Sequence, residues 1–143
     1  MKPKILLRIA AFFVLLHTIG HTIGALTWKQ APNQAIGHVV KGMLTEHFDF
    51  MGRSVTLGSF FDGYGMMTLF VLVLLVILLW QLSNNPENRL AAKILVPVSS
   101  YLLIQAVLEF IYFFPFAAVI SLLAAISAFV ALASIRSLKP ATI

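Results

Sequence analysis

Hydrophobic positions in this chain gather into four long blocks, and polar positions gather between them. "GMMTLFVLVLLVILLW" runs from Gly65 to Trp80 without a charge, and "FAAVISLLAAISAFVALASI" runs from Phe116 to Ile135 in the same way. Each approaches or reaches the roughly 20 residues a helix needs to cross the apolar core of a bilayer. The blocks predict membrane-spanning helices over residues 5–28, 59–82, 90–114 and 116–135. "SNNPEN" (Ser83 to Asn88) reads as a polar turn between the second and third. Pro115 breaks the third from the fourth. Such short connections make neighbouring helices antiparallel. The expected fold class is therefore all-α: one transmembrane domain over residues 1–143, built as an antiparallel four-helix bundle.

The connection between the first two spans carries a different pattern. Ile36, Val39, Val40, Met43, Leu44, Phe48 and Met51 recur at helical spacing, while Gln34, His38, Lys41, Thr45, Glu46 and Asp49 take the other face. This predicts an amphipathic helix over residues 33–51, lying on the outer membrane surface or across the mouth of the bundle.

Composition sharpens the membrane assignment. Sixty percent of the 143 residues are hydrophobic and only 10% are charged, too little polar surface for a soluble globule. A net charge of +5 would suit nucleic acid, but the basic residues flank the apolar blocks, as topology signals do. Lys2, Lys4, Arg8, Arg89, Lys93, Arg136 and Lys139 fall on the side of the termini, against Lys29, Lys41 and Arg53 on the other. Seven against three places both termini in the cytoplasm, with Trp28 and Trp80 marking opposite interfaces. The N-terminal stretch has a basic start but no convincing small-residue cleavage site, so it reads as a retained first span. The absence of cysteine excludes disulfides, iron–sulfur clusters and thiol catalysis.

Ionisable groups inside a span are costly and ask for partners. "HTIGHTIG" places His17 and His21 four apart, on one helix face. Gly20 and Gly24 form a neighbouring small-residue stripe that predicts close approach of another helix. In the third span Tyr101, Gln105, Glu109 and Tyr112 share a face, and Pro97 lies below them. Asp62 and Tyr64 stand at the glycine-rich start of the second span. In the fourth, Ala117, Ser121, Ala124, Ala128 and Ala131 make a small-residue packing face. Counted from Trp28 and Pro115 at about 1.5 Å per residue, His21 and Glu109 both lie about 10 Å below the outer surface. The shared depth predicts that these two meet, with His17 and Gln105 close by.

Three chemistries use these residues. Histidines at i and i+4 suit zinc or copper, and a carboxylate can complete the shell, giving His17, His21 and Glu109 as ligand or metal candidates. Gln105, Tyr112, Asp62 and Tyr64 would support them. One haem needs axial ligands on opposite sides of its ring, so two histidines of one helix cannot both serve; a homo-oligomer could supply the second. Alternatively, His21 and Glu109 form an acid–base pair acting on a lipid, sterol-like or quinone substrate. In the third reading the cluster only holds the helices in register. No cofactor is specified by the sequence. The expected partners are the lipid bilayer and a homo-oligomer, not nucleic acid.

The motif "HTIGHTIG" and the later "GRSVTLGSFFDGYG" resemble a set of small four-span bacterial membrane proteins with H-x-x-G-H-x-x-G in the first span. The resemblance covers mainly the first half of the chain. It implies a four-span fold in a bacterial inner membrane and no particular activity. A fainter likeness to four-span sterol isomerase-type proteins rests on histidine and glutamate inside the bundle, a fold-level analogy.

Overall fold

The structure, a computed structural model, describes residues 2–137. Lys139, one of the basic residues used for orientation, lies outside that range. In chain order the elements are α1 (Pro3–Thr27), α2 (Gln34–Thr45), β1 (His47–Phe50), β2 (Arg53–Thr56), α3 (Leu57–Asn84), α4 (Arg89–Tyr112) and α5 (Pro115–Ser137). Four of them, α1, α3, α4 and α5, are long and apolar enough to cross a membrane. The fold is an all-α membrane bundle carrying one small two-stranded sheet.

Local chemistry sets the helix ends. Pro3 opens α1, where a missing N–H costs nothing because no carbonyl precedes it in the helix. Asn88 caps α4 by accepting from the Leu90 amide at 2.9 Å. Only Phe113 and Phe114 separate α4 from α5, which starts at Pro115. Thr56 and Ser59 cap α3 reciprocally: the Ser59 amide donates to Thr56 Oγ1 at 3.1 Å and the Thr56 amide to Ser59 Oγ at 3.3 Å. Two amide donors that the helix cannot satisfy are thereby used.

The described chain divides into two compact units, residues 2–18 with 72–137, and residues 19–71. In the first, the N-terminal part of α1, the C-terminal part of α3, α4 and α5 share one core. Leu7 and Val14 of α1, Leu72 and Leu79 of α3, Leu95 and Leu102 of α4, and Ala124, Ala128 and Ala131 of α5 are buried in it. From Ala118 to Ala131 the buried face of α5 is made of small residues and the large ones lie outside; further on, Leu132 and Ile135 are buried as well. Ala118, Ser121, Ala124, Ala125, Ala128 and Ala131 are buried, while Val119, Leu122, Leu123, Ile126 and Val130 are exposed. In lipid there is no drive to hide leucine from the solvent, so backbone closeness decides which face packs. Ala117, expected on that face, is only partly buried. Buried hydroxyls turn to their own helix: Thr18 donates to the Val14 carbonyl and Ser99 to that of Leu95, both at 2.7 Å.

The second unit corrects the expected helix over residues 33–51. Asn33 caps α2 by accepting from Ile36 N at 2.9 Å, and the helix ends at Thr45. Phe48 and Met51 instead belong to a β-hairpin, in which His47 pairs with Thr56, Phe48 with Val55, Asp49 with Ser54 and Phe50 with Arg53. Met51 and Gly52 form the two-residue turn, with φ of 50° and 81°. Two successive positive φ values match the twist of a tight hairpin, and glycine at the second supplies one without strain. The segment also alternates: Phe48 and Phe50 fall on one side of the strand, and both rings meet Phe60 of α3, at 6.2 and 5.4 Å between centroids. That long-range aromatic contact outweighs the helical spacing of Phe48 and Met51.

Candidate functional site

In the first unit, three helices bring four polar side chains together. Glu109 of α4 is buried, 8% exposed. Gln105, one turn earlier on the same face, donates from Nε2 to Glu109 Oε1 at 2.7 Å. His17 of α1 places its Nε2 3.4 Å from that same oxygen. The other ring nitrogen, Nδ1, lies 3.0 Å from Oγ of Ser121 on α5. With the Nε2 proton directed at the carboxyl group, Nδ1 is an acceptor and the Ser121 hydroxyl donates to it. The connectivity is Ser121–His17–Glu109–Gln105.

Two acceptors in this cluster are orphaned. Glu109 Oε2 and Gln105 Oε1 are buried and have no hydrogen-bond partner among the described residues. Buried polar atoms are nearly always paired, because leaving one dry forfeits its hydration with no return.

The expected meeting of His21 with Glu109 is replaced by a pairing one helical turn earlier. Within the second unit His21 instead donates from Nε2 to the carbonyl of Gly65 at 2.8 Å. A Cβ at Gly65 would make only ordinary contact, 3.7 Å from Ala25 Cβ. His17 and His21 are one turn apart, so an axial offset of one turn between α1 and α4 exchanges them as partners of Glu109.

Other expected members are elsewhere. Asp62 is committed to the two residues that follow α1: its Oδ1 accepts from the indole of Trp28 and its Oδ2 meets Lys29 Nζ, each at 2.8 Å. Trp28 also packs on Phe61, 4.7 Å between centroids. Tyr64 and Tyr112 are 65% and 74% exposed, so neither supports a buried ligand set. Tyr112 shares the Glu109 stripe but is the last residue of α4, where the bundle no longer covers that face. Gly20 and Gly24 are exposed, and a Cβ at either would meet no heavy atom within 4 Å. The close approach expected there occurs at Gly58, whose Cβ would lie 2.8 Å from Leu44 Cδ2 and 3.0 Å from the Met43 carbonyl oxygen.

Sequence spacing assigns Ser121 to packing alone. Its small size does suit the α5 face, yet its hydroxyl meets His17, whereas Ser127 and Ser134 on the same helix bond the carbonyls of Leu123 and Val130. A lone hydroxyl in a stripe of alanines was the available signal. The metal reading meets a shortage of donors: among the described residues no three of His, Cys, Asp and Glu gather to hold an ion.

In comparisons with known proteins, no family model, no curated protein and no solved structure matches the chain.

Proposed function

We propose that this chain is a multi-pass protein of a bacterial inner membrane whose buried cluster of His17, Gln105, Glu109 and Ser121 binds a small hydrogen-bond-donating ligand. The observation that carries the reading is the pair of buried acceptors, Glu109 Oε2 and Gln105 Oε1, which no donor among the described residues serves. A ligand that donates to both would relieve two desolvation costs at once, each about 1–3 kcal/mol. The basic residues support an orientation with both termini in the cytoplasm. Membership in the small four-span bacterial set rests on "HTIGHTIG" and the start of the second span.

Gentle purification tests the ligand reading. Bound metals, absorbance and co-extracted lipids or quinones are measured on the wild-type protein and on a His17→Ala, Glu109→Gln variant. A donor-bearing molecule held at about one per chain and lost from the variant supports it. A protein with nothing bound, destabilised by the same changes, favours a second reading: the cluster as a brace between helices. The observation behind that reading is that His17, Glu109 and Ser121 come from three different helices. For an acid–base enzyme the same residues would need substrate access, and Ser121 is only 3% exposed.

A further inference from the structure

The two ends of the first unit differ in charge. At one end α4 turns into α5 through Phe113 and Phe114, with no charged side chain in the turn. At the other end α3 joins α4 through the polar residues 85–88, and the start of α1 meets the end of α3 where Arg8 reaches Trp80. Lys2, Lys4, Arg8, Arg89, Lys93 and Arg136 gather at this second end, and all are exposed. The acidic side chain there is Glu87. Among the described residues no carboxylate forms an ion pair with any of these cations.

Arg8 is the best defined of them. Its guanidinium carbon lies 4.8 Å from the centre of the Trp80 ring. An aromatic face attracts a cation without consuming the N–H donors of the guanidinium. Among the described residues no acceptor takes a hydrogen bond from Arg8. The ring therefore positions the fork and leaves its donors free. Arg8 also stands about 7.5 Å along α1 from Pro3, at about 1.5 Å per residue. Lys4 lies one turn nearer the helix start on the same stripe, and Phe12 lies one turn deeper and is 55% exposed. On α3, Ile77 is one turn deeper than Trp80 and is 49% exposed. Within about two turns the surface passes from cations, through an indole, to apolar side chains.

We infer that Arg8, Lys4 and Trp80 seat an anionic phospholipid in the leaflet on the side of the termini, its phosphate on the Arg8 guanidinium and an acyl chain along Phe12 and Ile77. A phospholipid has the same order of chemistry along its length as this surface. The planar guanidinium fork matches a pair of phosphate oxygens, which a lone ammonium does not. The surplus of cations at this end decides the headgroup. A zwitterionic lipid would bring its own ammonium against them, whereas an anionic one brings charge of the missing sign. A protein carboxylate is a poorer fit, because Arg8 and Trp80 stand more than a turn inside their helices and beside lipid-facing side chains. The seat is independent of the buried cluster of His17 and Glu109 and stands or falls without it.

Fluorescence quenching of Trp80 tests the seat. The full-length protein, in a Trp28→Phe background so that Trp80 is the sole emitter, is placed in phosphatidylcholine nanodiscs. A small fraction of the lipid carries brominated chains, on phosphatidylglycerol in one sample and on phosphatidylcholine in the other. The expected result is stronger quenching by the brominated phosphatidylglycerol. Arg8→Gln should lower that preference about fivefold, while Arg136→Gln, which removes the same charge elsewhere at this end, should lower it far less. Arg8→Lys keeps the charge and the topology signal, so it is informative even if Arg8→Gln fails to insert; its preference should fall below wild type. Excess inorganic phosphate, against chloride at equal ionic strength, should leave the preference intact. Equal quenching by the two brominated lipids would overturn the proposal. Equal effects of Arg8→Gln and Arg136→Gln, or a wild-type preference in Arg8→Lys, would reduce the seat to a diffuse basic surface and overturn the role of the Arg8 fork. Loss of the preference in phosphate would make the occupant a free anion and overturn the lipid.

Discussion

Nε2 of His17 lies 3.4 Å from Oε1 of Glu109, so the first histidine of the tandem motif, not the second, is the partner of the buried carboxyl group. The same imidazole reaches Ser121 through Nδ1 at 3.0 Å. One ring thereby links α1 to both α4 and α5. Removing it should cost more than removing either single contact.

We therefore expect His17→Ala to lower stability by about 1–3 kcal/mol, the usual cost of stranding buried polar partners. Ser121→Ala keeps the small volume that α5 needs and loses one hydroxyl, so about 1 kcal/mol is expected. Thermal unfolding in detergent reads both. A His17→Ala protein as stable as wild type would remove the basis for treating the cluster as a unit.

Glycine substitutions should separate close packing from mere small-residue spacing. At Gly58 a methyl group would sit 2.8 Å from Leu44 Cδ2 and 3.0 Å from a backbone oxygen. Overpacking of this kind costs about 1–3 kcal/mol. Gly20→Ala and Gly24→Ala place a methyl in open space and replace the poorest common helix former by the best, a gain of about 0.8–1 kcal/mol. Equal loss of stability in all three variants would contradict this assignment.

The hairpin turn offers a stabilising change. Met51 holds φ of 50°, a conformation that asparagine accepts far better than methionine. Met51→Asn would create the Asn-Gly pair most favoured in such turns, and we expect a gain of a few tenths to about 1 kcal/mol. Gly52→Ala, at φ of 81°, should cost about 1 kcal/mol or more. Hydrogen exchange of the hairpin amides measures both; faster exchange in Met51→Asn would count against the turn geometry.

Asp62 is a clamp at the end of a span and should behave as one. Its pair with Lys29 is about half exposed, so the ionic part contributes about 0–1 kcal/mol and weakens in salt. The indole bond to Trp28 at 2.8 Å is the more specific part. In a Trp80→Phe background, Asp62→Ala should shift the emission of Trp28 while leaving stability nearly unchanged. An emission spectrum untouched by the substitution would show that the bond is not held in solution.

Orientation is checked by reporter fusions at Ile143 and within the segment that contains α2 and the hairpin. Activity of a cytoplasmic reporter at Ile143, and its loss in the connecting segment, is the expected pattern. The reverse would overturn the orientation taken from lysine and arginine.

The sequence by itself determined the four spans, because length and apolarity are properties of continuous stretches that need no partner to be read. It also determined that His17, His21, Asp62 and Glu109 had to be explained: an ionisable group in an apolar block is conspicuous wherever the block packs. Only the tertiary structure decided which histidine meets Glu109, since four residues along a helix are one turn and the offset between neighbouring helices is written in no single segment. It also decided the fate of residues 46–56, where Phe48 and Met51 obey helical spacing and Phe48 and Phe50 obey strand alternation. The contacts of both phenylalanines with Phe60 settled that ambiguity in favour of the strand. Gly20 and Gly24 show the limit from the other side: glycine spacing permits close approach, but a neighbour must be there to make it, and the neighbour stands at Gly58 instead.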